Sequence, residues 1–307
     1  INQEFRYAFS TGEFCFAIVK VDGRVFDDRK NLSLIADKLY HAARRLFHHW
    51  ANEYEITSLG SSFYFLFQLD PEQKHGLRRQ FKLLLDELRV QGEIIQNISV
   101  TAALGKSYPS LPLLEPSLAH VRRLMEERLV VGTGKLLEEE NLRGDLLKGE
   151  FYQRDTRKEK LYQQDTFKEE LYQRNTLKEE LHQRDILKEE VYPKENFTES
   201  TAFSEFQGRF SQALEGLEVF SVRNALIKLK NQVLSQSSIT GHELLQTARE
   251  VGDFYLFSMK NYRIRIKEDF QERLLSGMEN CASAAELFDY LIHALTISYE
   301  KAARQKR

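Results

Sequence analysis

Three histidines on one predicted helix, His41, His48 and His49, are of a type that could bind a metal. His41 shares a side of that helix with His48 or His49, but no further ligands stand at a useful spacing. Surface or half-buried histidines are therefore the expectation. Gly132-Thr133-Gly134-Lys135 suggests a phosphate loop. The spacing fails, because Leu129 stands where the first glycine belongs and Leu136 follows the lysine instead of Ser or Thr. A turn between a helix and a short strand is the plainer reading. Asp27-Asp28 could act as an acidic pair, yet between Gly23 and Arg29-Lys30 they read as a solvated loop. His75, His120, His242 and His293 are scattered, with no Ser or Cys in a nucleophile context. Cys15 lies inside an apolar run and reads as a packed, inert thiol.

Composition narrows the classes further. The 307 residues are 42% hydrophobic and 29% charged, the mix of a soluble globular protein. Lys plus Arg (44) nearly balances Asp plus Glu (46), so a surface built wholly for nucleic acid is disfavoured. Two cysteines, Cys15 and Cys281, make neither a disulfide framework nor a zinc cluster and suit a reducing cytosol. No apolar run approaches the roughly 18–20 residues of a bilayer span, and no signal peptide is seen. The expectation is a cytoplasmic protein without membrane contact, and the start at Ile1 reads as that of a fragment. No cofactor is expected.

The elements that must position any site fall into three stretches. Residues 1–137 alternate strand and helix patterns. Phe14–Val21 is a buried central strand by its aromatic and β-branched content. Leu32, Ile35, Leu39, Ala42, Leu46 and Trp50 then recur at helical spacing. Glu55–Leu59 and Phe63–Leu69 flank Gly60-Ser61-Ser62 and predict a β-hairpin. Asp70-Pro71 starts a second helix, with Leu77, Phe81, Leu84 or Leu85 and Leu88 inward. Ile98–Leu104 is a fourth strand, and Leu118, Val121, Leu124 and Met125 mark a third helix. The order β-α-β-β-α-β-α predicts an α+β domain, a ferredoxin-like antiparallel sheet with helices on one face.

Residues 138–200 read as a charged spacer, helical or disordered. From 151 it is an array of ten-residue units such as LYQRNTLKEE and LHQRDILKEE. Ten residues fall short of three helical turns, so equivalent positions drift by about 80° per unit and form no straight stripe. Residues 201–307 predict a separate all-helical domain. Thr240 with Glu243 and Ser283 with Glu286 have capping-box spacing. Phe254, Tyr255, Phe257 and Tyr262 read as helical core rather than a ligand pocket. The terminal group Lys301, Arg304, Lys306 and Arg307 reads as a solvated helix end.

The strand, helix and Gly-containing hairpin resemble the GGDEF fold of diguanylate cyclases. In that family two glycines let GTP lie on the backbone, and carboxylates hold magnesium against the triphosphate. Here the tip reads Leu59-Gly60-Ser61-Ser62-Phe63-Tyr64: only the first glycine remains, and Ser62 and Phe63 take the acidic positions. Lys20 stands at one metal position and Asp22 at the other. No arginine precedes Gly60 within ten residues, so the family's inhibitory cyclic di-GMP site is missing too. The resemblance implies a catalytically silent copy.

Val100–Leu137, with Phe5–Asp22 and the hairpin, is similar to the GGDEF-like middle domain of YesN-type AraC-family response regulators. The helical stretch resembles the segment that follows it there. That resemblance implies an upstream receiver or membrane-linked sensor, as in two-component systems, and two downstream helix-turn-helix units, with DNA bound only through the latter. The expected function is non-catalytic signal transmission in a bacterial transcription regulator. A nucleotide-binding sensor at the Gly60 tip is the alternative, and a divergent cyclase using Asp22 is the competing enzyme class. The expected contact surface, toward a twin chain or the adjoining domains, is the last helix (Leu287, Leu291, Leu295) and the first (Leu39, Leu46, Trp50), with core packing as the alternative for most of these residues.

Overall fold

The computed structural model describes residues 12–23, 29–48, 50, 53–70, 72–95, 98–109, 114–139, 142, 201–236 and 238–306. The ten-residue repeats, Asp27-Asp28, His49 and Arg307 lie outside these residues.

The run FCFAIVKV is apolar at consecutive positions, which suits a strand covered on both faces, and it forms the centre of β1 (Glu13–Gly23). β1 pairs antiparallel with β3 (Ser62–Leu69) on one side and β4 (Ile98–Tyr108) on the other. β2 (Glu53–Leu59) forms the hairpin with β3 and one edge of the sheet. β5 (Leu136–Leu137) adds to β4 in parallel, giving the order β2-β3-β1-β4-β5. The sheet is thus mixed where an antiparallel one was expected. The crossover through α3 (Leu114–Glu126) and the short α4 (Arg128–Val131) returns the chain to the sheet edge in β4's direction.

Alternation along β1 sorts the layers. Cys15, Ala17, Val19 and Val21 face α1 (Arg29–Phe47) and α2 (Lys74–Ile95), with Phe65, Phe67 and Phe81 in the same core. The Phe47 ring lies 5.0 Å from both Phe67 and Phe81, and such tilted contacts add roughly 0.5–1.5 kcal/mol each beyond burial. Phe16 and Ile18 turn the other way, toward Val121, Leu124 and Met125 of α3. Helices therefore cover both faces, not one. α2 begins at Lys74, later than Asp70-Pro71 predicts, because the Asp70 backbone is held in a turn by Gln73.

The second half is helical: α5 (Thr201–Glu215), α6 (Val219–Leu234), α7 (Gly241–Asn261), α8 (Phe270–Glu279) and α9 (Ala284–Lys306). One apolar core joins all five, with Phe210, Leu226, Leu245, Tyr255, Phe288 and Leu295 inside. The Thr240–Glu243 capping box is present at the start of α7. At α9 the Glu286 amide donates to Ser283 Oγ, and the Glu286 carboxylate accepts from the Ala282 amide. Tyr299 Oη donates to the Leu214 carbonyl at 2.7 Å and pins α9 to the end of α5. Leu287, Leu291 and Leu295 are fully buried in this core, as is Leu39 in the sheet's. Of the two readings open for them, contact surface or core, these four are core, because five helices converge where only one apolar face can be read from the sequence.

Candidate functional site at the sheet–helix junction

On β1 the alternation that turns Phe16 and Ile18 toward α3 also buries Lys20 and Asp22, which are 6% and 3% exposed. What covers them is Arg128, the first residue of α4, itself 4% exposed. Its Nε donates to Asp22 Oδ1 at 3.2 Å, and Thr101 Oγ1 on β4 donates to Asp22 Oδ2 at 3.4 Å. The rest of the guanidinium turns to backbone: Nη1 donates to the Met125 carbonyl, and Nη2 donates to the carbonyls of Glu279 (2.8 Å) and Cys281 (3.1 Å). Glu279 ends α8, where carbonyls lack helical partners and the dipole favours a cation, and Cys281 lies two residues further on, in the turn toward α9.

Glu127, one residue earlier, reads the opposite end of another helix. Its carboxylate accepts the Gly241 amide at 3.0 Å and the His242 amide at the N-terminus of α7. Glu126 meets His242 Nδ1 at 2.6 Å. Leu129, one residue later, is buried in the helical core. Four consecutive side chains, Glu126 to Leu129, thereby lock the sheet half to the helical half. Gly241 is required at this contact: a Cβ there would stand 2.1 Å from the Glu126 carbonyl oxygen.

The hairpin tip joins the same junction. Gly60 turns the chain with φ +60°, and Ser61 and Ser62 follow it, half-buried. Lys20 Nζ donates to Ser61 Oγ, and Ser61 Oγ donates to Asn280 Oδ1, both at 3.1 Å. Asn280 is the C-cap of α8. Phe63 packs in the core against α1 and α2, while Tyr64 lies on the other face beneath the Arg122 guanidinium. Ser61 is thus engaged by the helical half, while Gly60 and Leu59 beside it remain open to solvent.

Burial dominates the electrostatics. It pulls the Lys20 ammonium from 10.5 to about 8, helped by the Arg128 charge and opposed by Asp22. Burial raises the pKa of Asp22, while Arg128 and Lys20 hold that rise back. Glu127 is raised by burial and held back by the two amides it accepts. Burial also pushes the Cys281 thiol up to about 12, which makes it a poor nucleophile.

The residues at the end of β1 do not fit a divalent cation. Asp22 offers one carboxylate whose two oxygens already serve Arg128 and Thr101, with a second cation, Lys20, beside it. Among the described residues no group of three or more His, Cys, Asp or Glu is arranged to hold a metal. His41 on α1 and His48 just after its end are both exposed. Gly132 and Gly134, with φ +89° and +77°, shape the turn into β5, and Lys135's carbonyl accepts from the Ala102 amide. No helix among the described residues is long and apolar enough to cross a membrane.

A scan against family models finds none that matches this chain, and a search of curated proteins finds no match. Arg128, Glu127 and Asn280 were not singled out by sequence. The one available signal is the interruption of an apolar helix end by Glu126-Glu127-Arg128 just before Leu129-Val130-Val131.

Proposed function

We propose that this chain is a non-catalytic signal-transmission module, the GGDEF-like middle of an AraC-type transcription regulator of the YesN kind. In this reading 1–137 and 201–307 are two domains, joined through 138–200. A sensor or receiver upstream and helix-turn-helix units downstream belong to the same cytoplasmic protein, and DNA is met only by the latter. The observation that carries the reading is Arg128, which ties the β1 carboxylate to the end of a helix in the other half. A strain on either half is felt by the other through one buried cation, which suits a relay. Lys20 and Arg128 make the same place hostile to magnesium, which argues against the cyclase reading. The contact of Ser61 with Asn280 argues against a nucleotide sensor at the tip.

Incubation with GTP and magnesium, with calorimetric titration of GTP and cyclic di-GMP alongside, tests the proposal. The expected result is no turnover and no heat of binding. Turnover abolished by Asp22→Ala would establish an enzyme, and saturable binding without turnover would establish a sensor.

A further inference from the structure

One face of α6 is only partly covered by the rest of the helical half. Val222, Leu226, Leu229 and Val233 point into the core, while Phe220, Ile227 and Leu234 stay 75%, 37% and 37% exposed. These three recur every seven residues, so they form a nearly straight seam about 21 Å long on a helix rising 1.5 Å per residue. Asn224 and Asn231 lie along it, both exposed. The flanks carry Arg223 and Lys228, exposed, and Lys230, paired with Asp289 at 2.5 Å. The helix contains no Asp or Glu, in a protein whose net charge is −2.

We infer that the outer face of α6 docks an amphipathic helix from a partner, with apolar residues every seventh position and Asp or Glu on its flanks. The seven-residue repeat selects a helix as the occupant, since that spacing lets each apolar knob meet a facing helix at the same level. The exposed Arg223 and Lys228 select acidic flanks, since Lys230 is already answered by Asp289. A second copy of α6 is disfavoured, because it would gather the cations of both helices at one seam with no acid in either to answer them. The seam is one side chain wide and broken by asparagines, too narrow and too polar for a lipid surface.

The test uses the full chain and two synthetic 21-residue helical peptides with leucine at every seventh position, one flanked by Glu and one by Lys. Fluorescence anisotropy should show the Glu peptide binding at least roughly tenfold tighter, with the difference shrinking as salt is raised. Phe220→Ser with Ile227→Ser should weaken that binding by about tenfold or more while leaving the circular dichroism spectrum unchanged, because both side chains are exposed. Equal binding of the two peptides, no binding of either, or binding indifferent to the double substitution would overturn the inference. So would a dimer in sedimentation that the same substitutions dissociate, which would give the seam to a second copy.

Discussion

Ser61 Oγ donates a 3.1 Å hydrogen bond to Asn280 Oδ1 across 219 positions of sequence, and the same hydroxyl accepts from the buried Lys20 ammonium. Ser61 is therefore the middle of a relay that runs from the sheet's central strand to the cap of a helix in the other half. Removing it strands a buried cation, whereas removing the Asn280 side chain strands only a half-buried hydroxyl.

Ser61→Ala should accordingly cost about 1–3 kcal/mol and Asn280→Ala about 1 kcal/mol or less. A double-mutant cycle read by urea unfolding should give a coupling of about 0.5–1 kcal/mol. Zero coupling would mean the two side chains do not meet in solution.

Arg128→Met leaves the Asp22 carboxylate buried without its ion partner and the Glu279 and Cys281 carbonyls without their donor. The expected loss is about 3–5 kcal/mol in urea unfolding. Asp22→Leu added to Arg128→Met should recover part of it, since a buried pair replaced by apolar residues often loses little. Failure of the second substitution to recover anything would show that the contacts to Glu279 and Cys281, not the ion pair, dominate.

Lys20 supplies a pH signature. Its folded pKa of about 8 lies below the 10.5 of the unfolded chain, so between these values the unfolded state binds more protons. Stability from this group is therefore fully present above pH 10.5, and it is lost as pH falls to about 8, with a span on the order of 3 kcal/mol at most. Lys20→Met should flatten that part of the curve, and the difference between the two proteins' urea midpoints from pH 7.5 to 10.5 reads it. Parallel curves would refute the burial of the ammonium.

Gly241 and Gly208 form an opposed pair. A Cβ at 241 meets the Glu126 carbonyl oxygen at 2.1 Å, while one at 208 on α5 meets nothing within 4 Å. Gly241→Ala should open the junction, raising amide exchange at the start of α7 and costing about 1–3 kcal/mol. Gly208→Ala should stabilise by about 0.5–1 kcal/mol through helix propensity alone. Matching signs for the two would contradict the close approach at Gly241.

Much of this architecture can be read from residue order. Alternation and period place β1, the hairpin and the apolar stripes of α1 and α2 because each element's own spacing records its buried face. Which sheet face α3 covers is not recorded that way, since Val121, Leu124 and Met125 say only that one side of the helix is apolar. Leu287, Leu291 and Leu295 illustrate the same limit from the other direction: a stripe looks alike whether it meets a neighbour in the chain or a partner. The junction was hardest to foresee. Lys20, Asp22 and Ser61 stand out individually, but Arg128 and Glu127 bind main-chain atoms, which any residue at positions 241, 279 or 281 would provide. Beside the charged interruption at 126–128, Gly241 betrays the contact through its missing side chain.

Glu126 and Glu127 aim at the start of α7, Arg128 at the end of α8 and Leu129 into the helical core, and successive residues near a helix differ in direction by about 100°. Their spacing is consequently worth more than any one of their identities. A conservative replacement at one position dims a single contact, but one residue added or dropped in this quartet re-aims every side chain after it and uncouples sheet from helices at a stroke. Among homologues the stretch should tolerate spelling changes and reject gaps.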